Sequence, residues 1–254
     1  MTTKSQDGQL TLGLGDMNDI PVISSEIIYK TSAVGSVLAS GHARPLTTSD
    51  RFEGFCIEKA DNSTGSAADI NCRIQRKGQI KLSVTGAVIT DIGRPVYASD
   101  DNTFALAGIG VYIGRVTRFI SAGVCMVSFD ADRGEEIVTV AFSLLLAGIS
   151  DGDVITTFTP GFNGRVKSMD FITSAPVTTG SKLSTLNAEI GTTDITGGEV
   201  ALTSAACTPL GAIVAGAAIT AGAGFDRNDT ISIEASSTTT FIEGSGTILL
   251  TLGK

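Results

Sequence analysis

The sequence has no tryptophan, a single histidine and few charged side chains among its 254 residues. Its 18 Lys and Arg residues are outnumbered by 26 Asp and Glu residues, so it lacks the basic composition typical of nucleic-acid binding. Only 17% of its residues are charged, while 30 are glycine. This composition indicates a protein that covers much of its surface with a partner, and we expect that partner not to be nucleic acid.

The residues that most enzymes and metal sites need are scarce. His42 is the only histidine, and it lies in the turn-like segment "ASGHARPL" with no nucleophile motif to activate. No Cys-x-x-Cys pair occurs, and we interpret the four cysteines as small buried hydrophobic residues in a reducing compartment: Cys56, Cys72, Cys125 and Cys207. We therefore expect no enzymatic activity, no cofactor and no metal, and we assign no residue to any of these roles.

One long uncharged run, between Glu199 and Asp226, raises the question of a membrane span. Its central part, Ser204–Phe225, is rich in Ala, Gly, Ser and Thr and has few bulky apolar residues. Its four glycines and Pro209 disfavour a helix, and no Lys or Arg cluster flanks it. We expect no membrane association, and instead short strands packed on the second unit, with Ile213 and Val214 buried.

The remaining pattern is that of β-strands throughout. "GQIKLSVTG" alternates apolar and polar residues, and "GVYIGRVTRFISAGVCMVSFDA" predicts two strands joined at Ser121–Gly123. Residues 1–134 carry a net charge of −1 and residues 135–254 a net charge of −7, with the turn-rich "DADRGEE" between them. These features predict an all-β protein with two domains, 26–134 and 135–254, of which the second is an antiparallel β-sandwich.

The first 25 residues differ from the rest, because alone they could not form a core. We predict an extended N-terminal arm over 1–25 whose alternating apolar residues add to a neighbouring sheet, and a frayed terminus is the alternative that composition leaves open. A cluster of cations in "RIQRKGQIK" could bind an acidic protein surface, although a solvated hairpin is the favoured interpretation. The predicted partner-binding residues are Leu10, Leu12, Leu14, Ile20, Val22, Arg73, Arg76 and Lys77.

Two parts of the chain resemble known virion proteins. The segment from Ile27 to Ala131, with "GRPVYASDDNTFAL", "IGRVTRF" and "GVCMVSFDA", resembles capsid decoration (cement) proteins of tailed bacteriophages. The segment from Asp153 to Leu252, with "GRVKSMDFITSAPVTTGSKLSTLNAEIG" and "TISIEASSTTTFIEGSGTILLTL", is similar to the outer domain of phage head decoration and head-fibre proteins. For 26–134 we accordingly predict a small β-barrel or β-tulip-like domain that binds the capsid.

The resemblance implies a structural protein on the outer surface of an icosahedral head, assembled in the host cytoplasm. Its partners would be the major capsid protein and further copies of itself, arranged as a homotrimer. Two other classes stay open: a carbohydrate-binding or adhesin-like sandwich, and a tail-associated structural protein. The first would need an exposed aromatic platform, for which three tyrosines and no tryptophan provide little material.

Overall fold

The structure, a computed structural model, describes residues 15–106 and 108–254. The fold is all-β, as predicted, with an N-terminal β-sheet, a small closed barrel and a C-terminal sandwich. Within the described ranges, helical conformation is limited to the 3-10 turn Ile89–Asp91. No helix in those ranges is long and apolar enough to cross a membrane.

The first sheet has the strand order β1-β7-β5-β3-β4, and a separate short pair is formed by β2 and β6. An isolated parallel bridge between Val22 and Ala43 brings the chain after β1 against β4, around a small apolar core. The strands are β1 Met17–Pro21, β2 Ile27–Ile28, β3 Ala33–Ser36, β4 Ala43–Pro45, β5 Arg51–Cys56, β6 Ala60–Asp61 and β7 Asn71–Gln75.

The prediction of an extended arm over 1–25 is wrong for residues 15–25, the part of it that the structure describes. Strand β1 pairs antiparallel with β7 over all five of its residues, from Met17 opposite Gln75 to Pro21 opposite Asn71. Ile20 is 7% exposed and Val22 fully buried, so both belong to the core of the first sheet. Apolar alternation identified a strand correctly, but could not tell whether its sheet lay in this chain or in a partner.

A closed five-stranded barrel follows, with the order β10-β8-β12-β11-β9. Along β12, the buried residues Cys125, Val127 and Phe129 alternate with more exposed ones. Phe129 also packs against Phe55 of the first sheet, with ring centroids 4.9 Å apart, so the two sheets share one core. The strands are β8 Lys77–Thr85, β9 Pro95–Ala98, β10 Phe104–Ala105, β11 Val111–Ser121 and β12 Val124–Asp130.

The C-terminal unit is the predicted antiparallel sandwich. One sheet has the order β13-β22-β15-β19 with β20 beside β15; the other has the order β14-β21-β16-β17 with β18 beside β16. Their inner faces form one core, in which Phe171, Ile248 and Leu250 are fully buried. The strands are β13 Ile137–Leu145, β14 Gly152–Phe158, β15 Gly164–Ala175, β16 Leu183–Ile190, β17 Thr193–Asp194, β18 Val200–Thr203, β19 Ile213–Ala215, β20 Gly224–Phe225, β21 Ile231–Thr239 and β22 Ser245–Gly253.

The uncharged run Ser204–Phe225 contains turns and two short strands, β19 and β20, both paired with β15. It is non-helical and packs on the sandwich, as expected. The expectation that Ile213 is buried is wrong: it is 67% exposed, whereas Val214 packs partly buried against the sandwich core. Successive residues of a strand face opposite sides of the sheet, so only one of the two can point inward.

The change of sheet falls in the turn-rich segment that separates the expected domains. Strand β12 ends at Asp130 and β13 begins at Ile137, and no sheet of the described chain contains strands from both sides of that segment. The four cysteines are free and buried, as expected.

Candidate partner-binding surfaces

The predicted arm residues do not together form a described surface. Leu10, Leu12 and Leu14 lie outside the described residues. Ile20 and Val22 are enclosed by the first sheet, so the structure does not offer them to a partner.

Each of the predicted cations contacts a carboxylate of its own chain. Arg73 lies opposite Asp19 across β1 and β7, with Nε to Oδ1 at 3.1 Å. Lys77 Nζ lies 2.7 Å from Asp16 Oδ1. These pairs are about half exposed, so they add little stability, but they neutralise much of the positive charge that an acidic partner would meet.

Arg76 is more enclosed than its neighbours, with 22% of its side chain exposed. It contacts Asp132 and lies 4.0 Å from Glu53, and its backbone N–H donates to Asp16. It therefore joins β5 to the segments just before β1 and just after β12, which is a structural role.

A different surface has the character expected of a protein contact. Val88, Ile89 and Ile92 are 49%, 64% and 52% exposed, although they follow one another within five residues. We call this segment, residues 88–92, the apolar turn. Ile120, 42% exposed, lies at the same end of the barrel, because Gly123 in the adjoining hairpin donates its backbone N–H to Ala87. Clustered exposed aliphatic residues of this kind commonly mark interaction sites.

The apolar turn is held rigidly from beneath by a buried carboxylate. Asp91 is 5% exposed, and its Oδ2 accepts a hydrogen bond of 2.6 Å from the backbone N–H of Val88. Its Oδ1 accepts one of 3.0 Å from Arg94, whose guanidinium also lies 3.1 Å from Asp226 of the sandwich. Asp91 thus fixes the turn while its aliphatic side chains face outward.

A second buried group, which we call the ion cluster, joins the barrel to the sandwich. Glu135, 4% exposed at its side chain, accepts two hydrogen bonds of 2.8 Å from Arg165. Lys167 Nζ lies 2.9 Å away, and the Tyr97 hydroxyl donates at 2.8 Å. Arg165 also donates to the carbonyls of Gly108 and Gly110 and lies over the Tyr97 ring at 4.3 Å.

Titration of the ion cluster follows from its contacts. Burial by itself raises the pKa of Glu135, but the hydrogen bonds and charges of Arg165 and Lys167 outweigh it and hold that pKa below its ordinary value. Burial and the neighbouring carboxylate raise the pKa of Tyr97 well above its ordinary value, so it stays a hydrogen-bond donor. Both cations of the cluster are paired with the Glu135 carboxylate, so its geometry is that of a structural ion pair between the two units.

The outer face of the second sandwich sheet is acidic. Ligand atoms of Asp153, Glu189 and Glu234 all lie within 4.8 Å of one another. Desolvation, and next the negative charges of Glu189, Asp194 and Asp153, raise the pKa of Glu234. A divalent cation is chemically compatible with such oxygens, but carboxylates alone do not establish a site, and none is assigned.

Sequence reasoning missed the apolar turn, the ion cluster and the acidic face. The segment "AVITDIG" did carry a signal for the turn. Its three bulky aliphatic residues cannot all be buried within so short a loop. No such signal exists for the other two, whose members come from distant strands.

No protein-family model and no curated protein matches the chain. Among solved structures, a match is found to the structure of the Gx strain of infectious bursal disease virus, at 9% identity and a TM-score of 0.15. It covers 94% of this chain and 79% of that one. At this TM-score the similarity supports no inference about fold or function.

Proposed function

We propose that the chain is a capsid decoration protein, which binds the outer surface of an icosahedral phage head and stabilises contacts between major capsid subunits. Its support is the sequence resemblance over both units, together with a surface suited to protein contacts. It would act without catalysis, as a structural component of the virion assembled in the host cytoplasm.

The observation that carries the proposal is the apolar turn. A turn whose backbone is already fixed loses little backbone entropy on binding, so burial of its aliphatic side chains contributes to affinity with fewer opposing costs. Burying one such side chain contributes roughly 1.5–3 kcal/mol. The Asp91 contacts provide this rigidity before any partner arrives.

Charge supports an orientation for the bound protein. The first unit carries a net charge of −1 and the second a net charge of −7, part of which is concentrated on the acidic face. Water solvates such a face readily, whereas pressing it against protein would require many partner cations. The first unit would therefore face the shell and the sandwich would face solvent.

Two further parts of the proposal, the N-terminal clamp and the assembly, involve no contact that the structure describes. Residues 1–14, with Leu10, Leu12 and Leu14, would be the clamp that extends onto the shell. The homotrimer implied by the resemblance stays a prediction, as does the major capsid protein as partner.

The test measures binding of the full chain to heads of the virus that carries its gene. Ile89→Asp places a charge on the apolar turn and should weaken binding at least tenfold, which corresponds to roughly 1.4 kcal/mol. Ile242→Asp is the matched control, because Ile242 is 66% exposed, close to the 64% of Ile89, but lies on the sandwich. Equal binding by both variants would reject the apolar turn as the contact.

Electron microscopy with a gold label at Lys254 separates the alternative classes. Labels over the head support decoration, whereas labels confined to the tail would establish a tail-associated protein. A glycan array tests the carbohydrate-binding alternative, and saturable binding to one glycan class without binding to heads would replace the proposal.

A further inference from the structure

Strand β13 forms a long and regular edge of the sandwich. Strand β13 pairs only with β22 among the described residues, and that pairing runs without a register shift over nine residues. The backbone groups on its other side are free of strand partners in the same ranges. A regular strand of this length at a sheet edge is a template for pairing with another strand.

This edge has none of the features that normally prevent pairing. Its sequence, "IVTVAFSLL", contains no charged residue, no proline and no glycine, although the whole chain carries a net charge of −8. Soluble proteins usually place a lysine, a proline or a bulge on such strands. The end residues Ile137 and Leu145 are 48% and 66% exposed.

The inward-facing side chains of β13 are incompletely covered. Val138, Val140 and Phe142 contact the sandwich core but are only partly buried. Their neighbours on β22, Ile248 and Leu250, are fully buried. The core is therefore unfinished along this edge, and a further strand beside β13 would close it.

The residues of β13 identify the strand that fits. About its central Ala141 the sequence is symmetric in side-chain class: Thr139 matches Ser143, Val140 matches Phe142, and bulky aliphatic residues match at both ends. An antiparallel strand of the same sequence, centred on Ala141, would place hydroxyl beside hydroxyl and apolar beside apolar at every position.

We propose that β13 pairs antiparallel with β13 of a second copy of this chain, across a two-fold axis through Ala141. The two sandwiches then share one continuous sheet, and Phe142 of each copy extends over the open core of the other. The symmetric, uncharged sequence favours a second copy over an unrelated partner, while the acidic face on the other sheet keeps copies apart elsewhere.

The first experiment measures the mass of the full chain in solution at micromolar concentrations. We expect a species of twice the 26.0 kDa chain mass, whereas the homotrimer implied by the sequence resemblance would have three times that mass. Ala141→Lys brings two ammonium groups together at the axis and should weaken self-association at least tenfold without altering the monomer fold. The control is Ile213→Lys, an equal charge at an exposed position of β19, on the opposite edge of the same sheet, which should remain dimeric.

The second experiment tests the register. With Ala141→Cys, two thiols meet at the axis within the Cα separation that a disulfide requires. Oxidised glutathione accepts their two electrons and two protons, forming the intermolecular disulfide and releasing two reduced glutathione molecules. Thr139→Cys is the control, because its two copies would be about 13 Å apart, so it should not cross-link.

Several results would overturn this interface. They are a monomer at all concentrations, a dimer or trimer whose mass is unchanged by Ala141→Lys, or equal cross-linking of the two cysteine variants. A chain that dimerises only after residues 1–14 are deleted would show that its own N-terminal segment covers β13. None of these results bears on binding to heads, which the apolar turn variants test separately.

Discussion

Glu135→Gln is the substitution for which the structure predicts the largest defect at the junction of the two units. The carboxylate is 96% covered at its side chain, since 4% of it is exposed, and it holds Arg165, Lys167 and the Tyr97 hydroxyl at once. Glutamine has nearly the same shape, so it removes the charge while leaving space filled. Two cations then lie close together in a largely buried region without their counter-charge.

The expected cost is about 3–5 kcal/mol, the usual penalty for removing one partner of a buried ion pair. For a chain of this size, each kcal/mol lowers the melting temperature by about 2–4 °C. Because Glu135 bonds to Tyr97 of the barrel and Arg165 of the sandwich, its loss should also uncouple them. Differential scanning calorimetry should therefore show an earlier transition that separates into two.

Three comparisons make this prediction specific. Glu136→Gln changes the adjacent residue, whose carboxylate is 65% exposed, and should alter stability by less than about 0.5 kcal/mol. Tyr97→Phe removes one hydrogen bond to a charged group, for an intermediate loss of about 1.5–3 kcal/mol. Gly253→Ala should behave like Glu135→Gln, because an added Cβ would overlap the Glu135 carboxylate.

The pH dependence provides the refutation. The folded pKa of Glu135 is depressed, so its contribution is present above the unfolded value of about 4.3 and is lost as pH falls through the folded pKa. The difference in unfolding free energy between wild type and Glu135→Gln should therefore become smaller as the pH falls. If Glu135→Gln and Glu136→Gln melt together at neutral pH, the ion cluster does not stabilise the junction and the reasoning is wrong.

Two further carboxylates and one pair of neighbouring apolar residues provide three more predictions. The pKa of Glu234 is raised in the folded protein, so the stability that its protonated form contributes at low pH is lost as pH rises through the folded pKa. Glu234→Gln keeps this side chain uncharged and should therefore stabilise the protein at neutral pH, which chemical denaturation at two pH values measures. Glu243→Gln should do the opposite, since hydrogen bonds from Thr178 and Thr179 lower the pKa of Glu243 to about 2, and its contribution is lost as pH falls towards that value. Val214→Asp should cost on the order of 3 kcal/mol while Ile213→Asp changes little, because only Val214 packs on the core; equal urea midpoints would contradict this.

The local alternation of apolar and polar residues was sufficient to predict burial where one face of a strand packs against a core. In β8, apolar residues at every second position predicted that Leu82 and Val84 are buried, because the side chains of a strand alternate between its two faces. The turn at Ser121–Gly123 and the break near residue 134 were likewise readable, since small and polar residues mark them locally. The apolar run over 204–225 was correctly placed outside a helix by its glycines and Pro209.

Local patterns could not identify the partner of a strand. The alternation that predicted an arm at Ile20 and Val22 was real, but those side chains point into a core of this chain, against β7 and β4. Nothing within five residues of Ile20 specifies that choice, because a strand edge pairs as readily with its own chain as with another.

The sequence by itself determined that the chain is all-β, that a sandwich forms its C-terminal half, and that enzyme motifs are missing from its pattern. Only the tertiary structure decided which charges are buried and which faces are open. Glu135 and Glu136 are chemically identical neighbours, yet one is enclosed by Tyr97 and Arg165 and the other is exposed to water. The difference arises from residues far away in the chain, which come together only when the sheets pack.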